Sequence, residues 1–304
     1  MYYYSLNEYL QKTFGEKVYK ISLDGGMTCP NRDGTLDTRG CIFCSRGGSG
    51  EFAASRTLTV TEQLEQAKER IRSKTDCRKF IAYFQPFTNT YAPVVYLKSI
   101  FEEATAPEDI AALSIATRPD CLGDDVLALL GELNAVKPVW VELGLQTIHP
   151  ETAAYIRRGY ELSVYDRAAE RLRNAGIQVI THVILGLPGE SREMMLETVR
   201  YAGERSDGIK LQLLHVLRDT DLYEDYKRQA FHVMSLEEYA ELLCDCVEAL
   251  PKQVVIHRLT GDGDKRLLVA PLWSGDKKRV LNTIRREFER RNVVQGNKFE
   301  KNQK

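Results

Sequence analysis

Apolar residues gather in short runs along the chain, separated by longer segments where they recur every three or four positions. The runs YKISL (19–23), KFIAYF (79–84), IAALSIA (110–116), VWVELGL (139–145), IQVITHVIL (177–185) and GIKLQLLHVL (208–217) are nearly continuous in apolar character. Such runs predict strands of a parallel sheet covered on both faces. Between them, TVTE (59–62), SVYD (163–166) and SLEE (235–238) read as capping boxes that open helices. Leu64, Ala67 and Ile71 share a face of the first helix, and Leu242, Leu243 and Val247 share a face of the last, which Pro251 stops. Gly176 is placed to end the helix over 164–175.

Six strand–helix steps exceed what one mononucleotide-binding half requires. They predict an α/β fold built as a partial, open (β/α)6 TIM-like barrel, with chemistry at the C-terminal ends of its strands. A seventh run, QVVIHRL (253–259), is expected beside the last strand or closing one side of the sheet. No repeat or low-complexity linker divides the chain, so the expected organisation is one domain over 1–274 with a short C-terminal extension over 275–304.

Composition changes this picture little. With 43% hydrophobic and 28% charged residues in 304, the chain has an ordinary globular balance. It has no run of the roughly eighteen apolar residues that a membrane span needs. The start, MYYYSLNEYLQKTFGEK, lacks the apolar core of a secretory signal, so a cytoplasmic location without a membrane partner is expected. Charge is more informative. From Lys277 onward ten Lys or Arg accompany three Glu, a balance of +7, which leaves -8 on the rest of a chain of net charge -1. Such a tail fits a polyanion such as RNA or a merely solvated helix; Lys277, Lys278, Arg285 and Arg286 are its candidate phosphate contacts.

The chemistry-bearing stretch is CPNRDGTLDTRGCIFC, which places Cys29, Cys41 and Cys44 in one loop with C-x11-C-x2-C spacing. Thiolates are soft ligands that select zinc or iron–sulfur clusters. A structural zinc needs a fourth ligand, and none of the five histidines is nearby in sequence. Three thiolates on a four-iron cluster would leave one iron open for a substrate or cofactor. A zinc completed by a distant histidine stays open as the other reading. Cys77, Cys121, Cys244 and Cys246 read as packing thiols.

With this loop in view, the chain resembles the radical S-adenosylmethionine (SAM) superfamily. It is most similar to a small bacterial branch related to the radical SAM domain of the Elongator catalytic subunit. There the first cysteine is also set back from the pair, departing from the usual C-x3-C-x2-C. YFQPFTNTYAP (83–93), SIATRPDCL (114–122), WVELGLQTIHP (140–150), IRRGY (156–160) and HVILGLPGE (182–190) follow in the same order. Tyr160 stands where relatives often carry a histidine.

The resemblance implies a [4Fe–4S] cluster on Cys29, Cys41 and Cys44 and SAM bound beside it. It implies SAM contacts from Gln85, Thr88, Asn89, Thr117, Glu142, Gln146 and Arg158, with the backbone of Gly186 and Gly189 passing the nucleoside. A carboxylate at Glu142 could instead form a structural salt bridge, and GLPGE could be a turn without a ligand. Arg118 and Arg258 are expected near an anionic substrate, each with a salt bridge, to Asp120 or Asp262, as the plainer role. His182 faces either the lumen, as a substrate contact, or a helix. The GGSG at 47–50 is expected over cluster or substrate. The implied partners are tRNA and an electron donor such as flavodoxin or ferredoxin. The implied reaction converts 5-carboxymethylaminomethyl-(2-thio)uridine to 5-aminomethyl-(2-thio)uridine at the wobble position. A small-molecule substrate, or a zinc-stabilised RNA-binding module without catalysis, are the alternatives.

Overall fold

The computed structural model describes residues 2–48, 53–261 and 263–299. Its elements run α1 (Leu6–Phe14), β1 (Val18–Leu23), α2 (Val60–Arg72), β2 (Lys79–Phe84), α3 (Val94–Thr105), β3 (Ile110–Thr117), α4 (Asp124–Asn134) and β4 (Val139–Gln146). They continue α5 (Pro150–Tyr155), α6 (Leu162–Asn174), β5 (Gln178–Leu185), α7 (Arg192–Arg205), β6 (Gly208–Leu213), β7 (Val216–Leu217) and α8 (Leu222–Lys227). The last are α9 (Leu236–Ala249), β8 (Val255–Arg258), β9 (Leu268–Ala270) and α10 (Lys277–Arg291).

The main sheet has the order β1-β2-β3-β4-β5-β6-β8, all parallel and not closed by a β1–β8 pairing. The expected open α/β barrel is present, and its sheet has seven strands rather than six because QVVIHRL joins beside β6. The sheet curls far enough for side chains of β1 and β6 to meet on one residue of β4, since Lys20 and Lys210 both reach Glu142.

Alternation within the strands explains the curl. Ile21, Leu23, Phe80, Ala82, Phe84, Leu113, Ile115 and the odd-numbered residues 139–145 point outward into one large core beneath the helices. The intervening positions point inward. At the N-terminal end of the lumen Ile81, Ala112, Trp140 and Ile180 pack together, and α1 closes that end with Leu6, Leu10 and Phe14. Further along, the inward positions turn polar: Lys20, Tyr83, Ser114, Glu142, His182 and Lys210.

Two of the three expected capping boxes form, Thr59 with Glu62 and Ser235 with Glu238. The SVYD box does not. α6 begins at Leu162 with Glu161 at its N-cap, placing Ser163 inside the first turn. Burial of Tyr165, whose hydroxyl lies 2.7 Å from Thr181 Oγ1, governs that start instead. Gly176 takes the left-handed conformation (φ 71°) just past α6, as expected. The run 208–217 is not one strand. Leu213 pairs with Leu185, the last residue of β5, so the ladder has no partner beyond it. The chain then leaves the sheet, and β7 pairs antiparallel with β9.

The exposed edge of β8 is covered by the first residues of the chain. Ile256 N–H donates to Tyr4 O (2.8 Å), and Ser5 bridges to Ile256. Gln295 latches this strap: its Oε1 accepts from Tyr4 N–H (2.8 Å), and its Nε2 donates to Pro251 O (2.7 Å) and Val254 O (2.8 Å). α10 packs on α9 through Val280, Ile284 and Phe288, leaving Lys277, Lys278, Arg285 and Arg286 exposed. No helix among the described residues is long and apolar enough to cross a membrane.

Leu10 is 4% exposed inside the lumen plug. Leu10→Ala is expected to lower unfolding free energy by about 2–5 kcal/mol, measured by urea titration. An unchanged midpoint would show that α1 is not part of the cooperative core.

Candidate active site

The loop between β1 and α2 carries the three cysteines. Its shape is set by short backbone bonds: Arg32 N–H to Cys29 O (2.8 Å), Gly40 N–H to Asn31 O (2.7 Å) and Cys44 N–H to Cys41 O (3.0 Å). Buried Asn31 ties it to the loop after β4. Its Nδ2 donates to Arg157 O (2.7 Å) and Arg158 O (3.4 Å) and lies 3.5 Å from Cys41 Sγ. Gly159, at φ 81°, must lack a Cβ here, because one would stand 2.8 Å from Asn31 Oδ1.

Cys29, Cys41 and Cys44 line one cavity of about 190 Å³ at the C-terminal mouth of the barrel. A closed TIM barrel normally fills its lumen with layered side chains, so open space inside this unclosed relative of it marks a site. Burial, reinforced by neighbouring Cys44, pushes the Cys41 thiol up to about 12. Ionising it therefore calls for a cationic ligand, which is how metal binding couples to thiol deprotonation.

Among the described residues no three His, Cys, Asp or Glu side chains converge tightly enough to ligate one ion. His182 also lines this cavity, but Glu142 and Gln212 engage its two ring nitrogens. Three soft donors on one wall, without a free imidazole beside them, fit the iron–sulfur cube better than zinc.

The cavity floor is an ionic cluster. Glu142, 1% exposed, accepts from Lys20 Nζ (2.5 Å), Ser114 Oγ (2.8 Å), His182 Nε2 (2.7 Å) and Lys210 Nζ. Burial alone raises its carboxyl pKa, but Lys20, Lys210 and His182 outweigh that and hold it well below the usual range. Burial pushes Lys210 down to about 7; Glu142 opposes the shift, while Lys20 and Arg258 add to it. Burial and Lys210 likewise push His182 down to about 4, so it is neutral at pH 7. Gln212 Nε2 donates to its Nδ1 (3.1 Å), which leaves the ring proton on Nε2 facing Glu142.

Most residues singled out in the sequence meet in this cavity: Gln85, Thr88, Thr117, Arg118, Glu142, Gln146, Arg158, His182 and Arg258 join the three cysteines. His182 faces the lumen, not a helix. Asn89, Gly186 and Gly189 do not line it. Asn89 Nδ2 instead donates to Phe84 O (3.1 Å) and Ala116 O (2.9 Å), splicing the ends of β2 and β3. Gly186 and Gly189 (φ 92° and 84°) form a tight turn away from the cavity, and Thr147 Oγ1 donates to Glu190 in that turn.

Arg118 takes the plainer of its two expected roles, and Arg158 is committed to backbone carbonyls. Arg118 grips Asp120 with Nε (2.9 Å) and Nη2 (2.7 Å) and gives Nη1 to Arg158 O (2.8 Å). Arg158 is only 3% exposed and spends its guanidinium on the carbonyls of Thr147 (2.6 Å) and Tyr160 (2.9 and 3.0 Å). Both stack on Tyr160, 5.1 and 4.6 Å from its centroid. They organise the mouth instead of presenting free charge to a ligand. Arg258 lies at the end of β8 on the cavity wall; Asp262 lies outside the described residues. Of GGSG, Gly48 lines the cavity beside Phe87, while Ser49 and Gly50 lie outside the described residues.

Sequence reading missed Lys20, Tyr83, Lys210 and Gln212. The available signal was a lysine inside each of two apolar strand runs, where a solvated face would not place it. Because folded Lys210 titrates near 7 against an ordinary 10.5, the unfolded chain binds more protons above pH 7. The Lys210 contribution to stability therefore rises with pH. Between pH 7 and 9, denaturation is expected to show a more positive slope of stability for wild type than for Lys210→Met; equal slopes would place the lysine in water.

The sequence model of the Radical SAM superfamily matches residues 38–202, and that of the Radical_SAM C-terminal domain matches 206–290. The Bacillus subtilis protein YtqA, described as uncharacterized, is 45% identical over 98% of this chain and 93% of its own length. A tRNA uridine(34) acetyltransferase of Methanocaldococcus jannaschii is 31% identical over 52% of this chain and 29% of its own. The solved structure of Methanocaldococcus infernus Elp3, lacking its first residues, shares the fold with a TM-score of 0.66 at 19% identity. That match covers 91% of this chain and 64% of that one. With three cysteines at the mouth of an open barrel and a family match across more than half its length, this chain belongs to the radical SAM enzyme superfamily.

Proposed function

We propose that the protein converts 5-carboxymethylaminomethyl-(2-thio)uridine to 5-aminomethyl-(2-thio)uridine at the wobble position of tRNA. The observation that carries this reading is the meeting of the cysteine loop with a cation-rich floor in one cavity, in a chain with tRNA uridine(34)-modifying relatives. Cys29, Cys41 and Cys44 would hold the cluster, with Gln85, Thr88, Thr117 and Gln146 around SAM. A [4Fe–4S] cluster held there would supply the electron for reductive cleavage of SAM, and the SAM-derived radical would take a hydrogen atom from the methylene between amine and carboxylate; return of one electron to the cluster and hydrolysis of the resulting imine would release the aminomethyl product and glyoxylate.

The protein's own part is placement. Tyr160, with two arginine guanidiniums stacked on its ring, and Asn31, tying the cysteine loop to the β4 loop, hold the mouth rigid. A rigid mouth keeps a substrate C–H close to the radical carbon and water away from it. An unstacked anticodon base is the form of tRNA that fits a recessed site. The exposed Lys277, Lys278, Arg285 and Arg286 of α10 would contact its phosphates, and an electron donor such as flavodoxin or ferredoxin would reduce the cluster.

The test is anaerobic reconstitution with iron, sulfide and SAM, followed by dithionite and tRNA bearing the carboxymethylaminomethyl group. Nucleoside analysis should show the aminomethyl product together with 5′-deoxyadenosine, and Cys41→Ala should abolish both. 5′-Deoxyadenosine formed with tRNA nucleosides unchanged would point to a small-molecule substrate. Charge reversal at Arg285 and Arg286 should weaken tRNA binding and flatten its salt dependence, measured by filter binding.

A further inference from the structure

Lys20 and Lys210 both hold Glu142, yet they are not equivalent. Lys20 is not part of the cavity wall: Glu142 (2.5 Å) and Ser114 (3.2 Å) take two of its protons, and its ammonium lies over Tyr83 (4.8 Å) and Trp140 (5.1 Å). One lysine already balances the one carboxylate. Lys210 is therefore surplus charge, and it lines the cavity. An ammonium carries three protons. Lys210 gives one to Glu142 and one to Tyr83 Oη (3.1 Å), and among the described residues no group takes the third.

We propose that Lys210 binds the carboxylate of the substrate at the barrel floor, an inference that rests on the wobble-uridine reading above. A buried cation with an unfilled donor is costly unless a ligand completes it. The charged groups acting on Lys210 are Glu142, which favours the proton, and Lys20 and Arg258, which oppose it. His182 beside it is neutral, and burial holds His257 of β8 well below its usual value. One more negative charge balances the two lysines against Glu142, and burial pushes Lys210 down to about 7. Its recess selects the kind of anion. Lys210 is 5% exposed, so a carboxylate on a slender arm reaches it and a backbone phosphate does not. Arg118, the other candidate partner for a negative group, is already occupied by Asp120. Arg258 on the neighbouring strand adds positive potential along the same wall.

Binding without turnover tests this. Protein loaded with cluster and SAM, but given no reductant, is titrated with an anticodon stem–loop RNA. Its wobble uridine carries either the carboxymethylaminomethyl group or the matching primary amide, and fluorescence anisotropy reads the affinity. Wild type should prefer the carboxylate RNA by about ten- to a hundredfold, the range expected for a charged hydrogen bond. Lys210→Met should bind both RNAs equally, and Lys210→Arg should keep a preference. Retained cluster absorbance and an unchanged far-ultraviolet spectrum show that each variant is folded.

A preference that survives in Lys210→Met overturns the assignment, as does a wild type that never discriminates. Loss of SAM affinity in Lys210→Met with the RNA preference intact also overturns it, by moving the lysine to the cofactor. Failure of the wobble-uridine reading would appear separately, as an unchanged nucleoside profile under reducing conditions.

Discussion

A single buried carboxylate holds the barrel's interior together. Glu142 sits on the central strand and receives cations from β1 and β6, which are five places apart in the sheet order, with His182 of β5 between. Backbone ladders alone would leave the seven strands free to splay, because the sheet is never closed by a β1–β8 pairing. Convergence of the two lysines on one acceptor fixes the curvature from inside. Buried ion pairs of this sort add little net stability but strongly penalise any arrangement that separates them. The lumen's diameter, and with it the space below the cysteine loop, follows from that constraint.

The mouth uses the opposite device. Around the cysteines the chain has almost no regular structure, and side chains bonded to backbone carbonyls take its place. Asn31, Arg118 and Arg158 each satisfy carbonyls at loop ends. Residues at φ 58°, 62° and 57° (Phe87, Gln146 and Arg157) occupy left-handed backbone at or beside the cavity. Non-glycine residues persist there only where surroundings over-determine them. Order at the mouth thus comes from many short polar contacts, whereas order at the floor comes from one charge cluster.

These two devices account for what the sequence disclosed. Strands and their order were legible because their outward faces are so apolar, and the cysteine loop because three thiols within a short span are a local signal. The floor was obscured by the same apolar runs. Glu142 stood out in VWVELGL, but Lys20 and Lys210 needed the inward register of period two to be seen as its partners. The arginines were only half legible. The pairing of Arg118 with Asp120, two residues on, was one of its two expected roles, whereas the carbonyl partners of Arg118 and Arg158 are brought near only by the fold. Gly186 and Gly189 were correctly read as turn-formers, and the turn simply lies away from the cavity.

The strap over β8 has a consequence for how the molecule assembles. Residue 4 and residue 295 meet through one glutamine, a contact separated by 291 positions. Closing so long an interval is entropically expensive until the intervening strands already lie in place. Gln295 therefore acts as a clasp fastened last, and shortening the polypeptide at either end should leave a bare sheet margin inviting another molecule to pair with it.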